Sequence, residues 1–108
     1  MSFCDLEPRA AKRLFEGVQT RTFWGERMLV SLLEFAPNSH VPDHTHPHEQ
    51  VGIVVEGELY MTIAGVTRLM KAGESYVIPG NVPHSGRTGN KWAKVFDAFS
   101  PVRAEYQY

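Results

Sequence analysis

Short apolar stretches recur along the chain from Val18 onwards, and turn residues separate them. The stretches are four to eight residues long and rich in valine, isoleucine, leucine and aromatic residues. This length and composition are typical of β-strands. We predict a first strand where Val18, Thr20 and Thr22 alternate, and further strands over residues 28–35, 51–55, 58–63, 66–71, 75–78, 84–88 and 92–99.

Glycine, proline and asparagine mark the turns between these strands. Glu56-Gly57 predicts a tight hairpin, Ala64-Gly65 predicts another, and Pro79-Gly80-Asn81 predicts a further turn. No long helical pattern interrupts the series. About eight to ten short strands with such turns indicate an all-β chain, folded as one antiparallel β-barrel or jelly roll.

The N-terminal segment has a different pattern. Residues 9–16 are good helix formers, Pro8 suits an opening turn and Gly17 suits a helix C-terminus, so we predict one short helix there. We expect three segments in order, which are an N-terminal extension over residues 1–17, a barrel over residues 18–103 and a C-terminal tail over residues 104–108.

The composition is that of a single folded domain. The chain has 108 residues, enough for one hydrophobic core and too few for two. A formal charge of −1 without a basic cluster argues against a nucleic-acid partner. The first residues contain no apolar run long enough for a signal peptide or a membrane span, so we expect a cytoplasmic protein without a membrane partner. Cys4 is the only cysteine, which excludes an internal disulfide.

Histidines are concentrated in one short segment. The chain contains five of them, and His40, His44, His46 and His48 fall within nine residues. Imidazole is the commonest protein ligand for metals, and residues at i and i+2 of an extended segment point to the same side. His44 and His46 can therefore bind one ion, although a polar loop would also explain a single pair of this kind.

Two spaced motifs connect this segment to the fifth histidine, His84. The first is His44-x-His46-x3-Gln50-x6-Gly57, and the second is Gly73-x5-Pro79-x-Asn81-x2-His84. In spacing and order they resemble the two motifs of the cupin superfamily, whose members bind a divalent metal inside a small β-barrel. The resemblance implies that His44, His46, Gln50 and His84 hold one transition metal ion, for which Ni, Zn, Fe, Mn and Co are candidates.

The motifs depart from the usual cupin pattern at two positions. Gln50 stands where most cupins have glutamate, so the ligands are neutral and the metal keeps its full charge, which suits Lewis-acid chemistry on an anion. Asn81 stands where glycine is usual, and asparagine tolerates the left-handed backbone of such a turn. We do not expect His40 or His48 to be ligands. His48, which follows the turn at Pro47, can instead support the predicted ligands from outside the metal's own shell.

The last predicted strand carries an acidic residue on its inward face. Asp97 and Phe99 share that face because they stand at i and i+2, and Val95 on the same side is apolar. A buried carboxylate without a partner is costly. Asp97 therefore either forms a hydrogen bond or a structural pair with Arg103, or it stands in a water-filled pocket beside the metal.

One short segment near the C-terminus narrows the resemblance. The residues Asp97, Phe99, Ser100, Pro101 and Arg103 are similar to the Asp-x-Phe-Ser-Pro-x-Arg ending of the KdgF-type pectin degradation proteins, which also have glutamine at the Gln50 position. This similarity implies an enzyme that converts a 4,5-unsaturated monouronate from pectin or alginate to the linear 5-keto-4-deoxyuronate. It makes Asp97, Phe99 and Arg103 catalytic residues, and it implies a small anionic substrate and a homodimer.

Other functions are compatible with the same residues. A metal-dependent dioxygenase or a different isomerase would use the same ligands, and the former would require oxygen and bound iron. A cupin that only binds a small ligand would use Asp97 and Arg103 as structural residues and would turn over no uronate. Aromatic residues at strand positions could line a sugar pocket but more often belong to the core, so we assign no role to Trp24, Tyr60, Tyr76 or Trp92.

Overall fold

The computed structural model describes residues 3–108, which form an all-β antiparallel barrel as the sequence predicts. The strands are β1 Lys12–Phe15, β2 Val18–Trp24, β3 Leu29–Phe35, β4 His40–His44, β5 Glu49–Ile63, β6 Val66–Lys71, β7 Ser75–Ile78, β8 His84–Arg87 and β9 Ala93–Ser100. A short 3-10 helix over Ala104–Tyr106 follows β9. Every strand pair between the described residues is antiparallel.

Strand β5 lies at the centre of the barrel. The strands are hydrogen-bonded in the order β1-β2-β3-β9-β5-β8-β4, and β6 and β7 also pair with β5. The first half of β5 pairs with β7 and β9, and the second half pairs with β6 and β8. The strand that begins in the first histidine motif therefore contacts the strands that carry His84 and Asp97.

The predicted hairpin at Glu56-Gly57 is wrong, because β5 runs through it without a reversal. The register of β5 against β9 shifts by one residue between Val54 and Glu56, and Gly57 has a φ of 74°. An extra residue with a glycine in the left-handed region is a β-bulge, which bends a strand without ending it. The bend lets one long strand cross from one side of the barrel to the other.

The short helix predicted over residues 9–16 is also wrong, since Lys12–Phe15 forms β1 and pairs with β2. An isolated helix of this length is marginal in water, because few hydrogen bonds offset the cost of the first turn. Gly17, at a φ of 78°, reverses the chain and places the segment beside an existing strand edge. Pairing with β2 therefore replaces the local helical preference, and Leu14 is turned towards the interior.

The inward-facing residues of four adjacent strands form three levels of side chains. The apolar level contains Leu33, Val95 and Val54. The polar level contains Ser31, Asp97, Gly52 and Tyr76. The site level contains Leu29, Phe99, Gln50 and Ile78. All of these residues are buried, so the acidic Asp97 lies between an apolar floor and the level that carries Gln50.

The only helical segment among residues 3–108 is the three-residue 3-10 helix, and none there is long and apolar enough to cross a membrane.

Candidate metal centre and its cavity

Strands β4 and β8 bring two histidines face to face. His44 ends β4, His84 begins β8, and the two residues are directly paired in the sheet with ring centroids 4.2 Å apart. His46 lies two residues beyond β4, and its ring centroid is 4.9 Å from that of His84. One ligand atom from each histidine lies within 4.8 Å of the other two. The three imidazoles therefore converge on one point.

Backbone carbonyls fix the orientation of all three rings. In each ring Nδ1 lies at hydrogen-bonding distance from a carbonyl oxygen two residues away. The pairs are His44 with Pro42 at 2.8 Å, His46 with His48 at 3.0 Å and His84 with Val82 at 2.9 Å. A carbonyl oxygen only accepts, so Nδ1 carries the hydrogen and donates it. The Nε2 lone pair is left free, which is the arrangement that metal-binding histidines adopt.

The Nε2 atoms have surroundings that fit a cation. Nε2 of His84 is buried and has no hydrogen-bond partner. Nε2 of His46 lies 3.0 Å from Oε1 of Gln50, and in this tautomer both atoms are acceptors. Two lone pairs facing each other are unfavourable unless a positive charge lies between them. The donor set of three imidazoles and one carboxamide oxygen therefore fits a divalent transition metal.

Burial keeps two of the clustered histidines, His46 and His84, neutral. Removal from water, followed by the positive charge of Arg103, lowers the pKa of His46 to about 4. Burial likewise lowers the pKa of His84. Neutral imidazole is the form that binds a metal, so protons compete weakly with an ion at these two residues near neutral pH.

A tight turn joins the second motif to the first. Asn81 has a φ of 65°, which confirms that asparagine takes the left-handed conformation expected at this position. Its backbone N–H donates to the carbonyl oxygen of His46 at 2.7 Å. Gly80 lies against Pro47, where an added Cβ would come within 2.5 Å of the Pro47 oxygen. The turn therefore holds His46 in place, and any side chain at Gly80 would disturb it.

The two remaining histidines lie outside this group. His40 is exposed and pairs with Arg87 at the far end of β4. His48 is half-buried after Pro47, with its ring centroid 5.6 Å from that of His46. Its carbonyl oxygen is the acceptor for the His46 ring, so His48 supports a predicted ligand through its backbone.

A cavity of about 460 Å³, counted to its open mouth, lies beside the histidines. Its lining includes the predicted residues His44, Gln50, His84, Asp97, Phe99 and Arg103. The ring of Phe99 packs against that of His46, with centroids 5.5 Å apart. The structure thus brings the C-terminal trio and three of the four predicted metal ligands to one cavity, and the fourth, His46, packs against Phe99.

Asp97 is held by a hydrogen bond and not by an ion pair. The hydroxyl of Tyr76 donates to Oδ1 of Asp97 at 2.5 Å, and no ion pair between described residues joins Asp97 to Arg103. Burial raises the pKa of Asp97 to about 7, although Tyr76, Gln50 and Arg103 each act in the opposite direction. The carboxyl group can therefore both give and take a proton near neutral pH.

Aromatic rings flank the guanidinium of Arg103. Its Cζ lies 3.9 Å from the ring centre of Tyr106 and 5.1 Å from that of Phe99. Nε is buried without a hydrogen-bond partner, and the carboxylate of Glu105 is 3.7 Å from it. A guanidinium held by ring faces keeps donors available for an anion that enters the cavity.

Three residues at the site have no role predicted from the sequence. Tyr106 from the C-terminal tail and Leu14 from β1 line the cavity, and Tyr76 is buried at the polar level beside Asp97. A tyrosine within a strand resembles any core aromatic until the register shows what its hydroxyl reaches, so no local signal identifies Tyr76. Trp24 and Trp92, by contrast, do not belong to the core, because they are 38% and 61% exposed.

Comparison with known proteins shows which sequences this chain is similar to. The family model for the cupin domain, Cupin_2, matches residues 31–99. The pectin degradation protein KdgF of Dickeya dadantii is 26% identical over 97 residues, which cover 88% of each chain. The H2HPP isomerase of Bacillus subtilis is 52% identical over 52 residues, which cover 47% of this chain but only 22% of that protein.

Solved structures support the same relationship. An RmlC-like cupin from Shewanella frigidimarina superimposes with a TM-score of 0.91 at 25% identity, over 98% of this chain and 96% of that one. The structure of KdgF from Halomonas sp. gives a TM-score of 0.89 over 97% of both chains. At 23% identity the latter shows a shared fold.

Proposed function

The chain belongs to the cupin family, and on that basis we propose that it is a metal-dependent enzyme acting on a sugar acid. The proposed reaction converts a 4,5-unsaturated monouronate to the linear 5-keto-4-deoxyuronate. The observation that carries the proposal is the cluster of three histidines, of which His44 and His84 line one cavity together with Asp97 and Arg103. The similarity to KdgF along 88% of both chains supports the choice of substrate.

We assign the metal ligands to His44, His46, His84 and Gln50. The ion would be one of Ni, Zn, Fe, Mn and Co, and when bound it would supply Lewis-acid polarisation of substrate oxygens. None of the four ligand side chains is an acid, so their donor set adds no negative charge to the site. Oε1 of Gln50 faces the histidines, since it lies 3.0 Å from Nε2 of His46.

Arg103 and Phe99 would bind the substrate. The uronate carboxylate pairs with the Arg103 guanidinium, whose planar fork matches a carboxylate. The sugar ring packs beside Phe99, which is 2% exposed and fixed against His46. These two contacts orient an anionic ring with its reacting carbons towards Asp97.

Asp97 would move the protons. It removes the proton of the anomeric hydroxyl as the bond between C1 and the ring oxygen breaks, and it gives that proton to the departing ring oxygen, which leaves an aldehyde at C1 and an enol at C4 and C5. The enol then loses its hydroxyl proton while C4 gains one, giving the 5-ketone. The atoms balance without an oxidant or reductant, and the buried carboxyl provides one site for both transfers.

An ultraviolet assay tests this proposal. The C4–C5 double bond of the substrate absorbs, so its loss is followed directly in metal-loaded protein and in protein treated with a chelator. We expect rapid loss only with metal and recovery when the metal is restored. Equal rates with and without metal would contradict the proposal.

A different isomerisation of a small organic acid is the second candidate. The observation that favours it is the 52% identity to the H2HPP isomerase over 52 residues. It would use the same ligands, with Arg103 binding the acid. Turnover of another unsaturated acid, with none of the uronate, would support this candidate.

The outer face of the barrel supports a homodimer. Five apolar side chains on β5, β7 and β9 are between 38% and 58% exposed on one side of the sheet, and they are Val51, Ile53, Val55, Val77 and Phe96. An exposed apolar patch of this kind is typical of an interface. We propose a cytoplasmic homodimer without nucleic-acid or membrane partners. Light scattering should give twice the monomer mass, and Ile53→Lys should reduce it to the monomer.

A further inference from the structure

Three adjacent strands place Tyr76, Gly52 and Asp97 in one row across the barrel wall. Tyr76 on β7 is paired with Gly52 on β5, and Gly52 is paired with Asp97 on β9. All three belong to the polar level, and Tyr76 and Asp97 are 8% and 4% exposed. Tyr76 and Asp97 are therefore two strands apart, farther than side chains of neighbouring strands normally reach.

The absence of a side chain at Gly52 makes their contact possible. A Cβ added at Gly52 would overlap Oδ1 of Asp97 and would lie 2.5 Å from Cζ and the hydroxyl oxygen of Tyr76. The backbone of Gly52 does not have a positive φ, so its conformation does not require glycine. Glycine at this position instead leaves a gap in the wall, and the phenol crosses β5 through that gap.

The contact holds one carboxyl oxygen of Asp97, a residue that also lines the cavity. Tyr76 donates to Oδ1 at 2.5 Å. Ser31 is the other polar residue at this level. Its hydroxyl oxygen lies 2.6 Å from that of Thr20, so it is hydrogen-bonded to Thr20 and not to Asp97. Burial raises the pKa of Tyr76 well above its usual value, so the phenol keeps its hydrogen and stays a donor. Tyr76 and Gln50 are thus two side chains that hydrogen-bond to the buried carboxyl, and Tyr76 is the one that holds Oδ1.

We propose that Tyr76 is a positioning residue for Asp97, acting through the gap at Gly52. This inference rests on the proposed function, in which Asp97 transfers protons to and from the substrate. Tyr76 itself does not touch the substrate. Its hydroxyl holds one carboxyl oxygen so that the other points at the reacting carbons, and a small loss of alignment in such a group has a large effect on rate.

Tyr76→Phe tests the inference because it removes only the hydroxyl. We expect kcat on the unsaturated uronate to fall by about 10- to 100-fold, with KM within about twofold and the bound metal unchanged. Tyr60→Phe is the matched control, because Tyr60 lies on β5 with its ring against Arg87, 4.2 Å from that guanidinium. The control should keep wild-type kcat. A merely structural hydrogen bond would lower the melting temperature and leave kcat unchanged, which would overturn the inference.

A glycine substitution tests the gap separately. Gly52→Ala should displace the phenol and lower kcat at least as much as Tyr76→Phe, again with little change in KM. Gly25→Ala is the control, because a Cβ at Gly25 meets no atom within 4 Å. Wild-type kcat in folded Gly52→Ala would show that the gap is unnecessary.

Thermal unfolding of the metal-free protein gives a readout that does not depend on turnover. We compare Tyr76→Phe, Asp97→Ala and the double variant, because alanine at position 97 removes the acceptor of the Tyr76 hydroxyl. If the two residues hold each other, the losses of melting temperature should not add. Additive losses would overturn the inference even if the enzyme is active. Failure of the wild type to consume the uronate would instead reject the proposed function, and the coupling would still decide whether Tyr76 holds Asp97.

Discussion

Gln50 is the one proposed ligand at which a substitution of the same shape, glutamine to glutamate, would add a negative charge. Its carboxamide oxygen faces His46 at 3.0 Å, and both the residue and its neighbour Asp97 are buried. A glutamate at position 50 would add a negative charge beside the metal and beside a second carboxyl group. In the proposed site the amide would therefore favour an anion, at the cost of weaker binding of the metal ion.

Gln50→Glu should accordingly tighten metal binding and weaken substrate binding. An opposite unit charge at 4 Å contributes between about 1 and 4 kcal/mol at a protein surface, so we expect the metal Kd to fall about tenfold or more. KM for the anionic substrate should rise. Competition with a coloured chelator measures the first effect and initial rates measure the second. Gln19→Glu, at an exposed position of β2, should change neither. An unchanged metal Kd in Gln50→Glu would remove Gln50 from the ligand set.

Asp97→Asn should separate chemistry from folding and metal binding. Asparagine keeps the shape and can still accept from Tyr76, but it cannot carry the proton. We expect kcat to fall about 100- to 10,000-fold, the range for loss of a general acid or base, with metal content and melting temperature close to wild type. Asp5→Asn at an exposed position is the control. Unchanged turnover in Asp97→Asn would show that another group moves the protons.

Single residues differ in how well the sequence predicts them. The proposed ligands His44 and His46 follow from spacing, because they are close in the chain and belong to one motif. The hydrogen-bond partner of Asp97 cannot be predicted in this way, because Tyr76 is 21 residues away in the chain. It reaches Asp97 across β5 at Gly52, which has no side chain. Whether Asp97 pairs with Arg103 or hydrogen-bonds elsewhere depends on that register.

At the level of elements, the bulge in β5 is the feature that local patterns misrepresent. A dipeptide of glutamate and glycine between two apolar stretches predicts a reversal, and the same dipeptide also suits a bulge. The difference lies in the partner strand, because the carbonyl of Trp92 occupies the place that a Cβ at Gly57 would take. The N-terminal segment shows the same limit, since β1 exists only because β2 offers it an edge.

Gly57→Ala should therefore destabilise the protein more than its backbone angle alone requires. Alanine in the left-handed region costs about 1–2 kcal/mol, and forcing the Cβ against Trp92 should add about 1–3 kcal/mol. Gly65→Ala is a matched control, because Gly65 has a similar φ of 80° but no neighbouring atom within 4 Å. Urea unfolding of both variants isolates the second contribution. Equal losses in the free energy of unfolding of the two variants would show that the contact with Trp92 adds no destabilisation.

For the molecule as a whole, a bound ion would connect parts of the barrel that are far apart in the chain. His44 and His46 flank the end of β4, Gln50 lies on β5 and His84 begins β8. An ion bound only by the folded state stabilises it by about 2.7 kcal/mol at a concentration one hundred times its Kd. Metal binding should consequently be visible in global unfolding.

Removal of the metal should lower the melting temperature by about 10–20 °C when the loaded sample is near that saturation. Scanning calorimetry with and without a chelator measures the shift. His84→Ala should lose most of it, and His40→Asn should keep it, because His40 is exposed at the far end of β4. A full shift in His84→Ala would place the ion elsewhere.

The architecture as a whole was more predictable than the order of its strands. Alternation and turn residues are local, and they indicate an antiparallel barrel from the sequence alone. The placement of β9 between β3 and β5 depends on pairs such as Ser31 with Asp97, which are 66 residues apart. That placement creates the polar level, so the location of Asp97 next to the metal ligands follows from long-range pairing.

The alternation of β5 has a further consequence. Gln50, Gly52 and Val54 face the interior, and Val51, Ile53 and Val55 face outwards, so two interleaved series of residues share one backbone. Substitutions can change one series and leave the other intact, which lets cavity and outer surface vary independently. A one-residue deletion in this stretch cannot change one series alone, because it moves every following inward residue to the outer face and every outward residue to the inner face. Length, more than side-chain identity, is the property of β5 that this protein is least able to change.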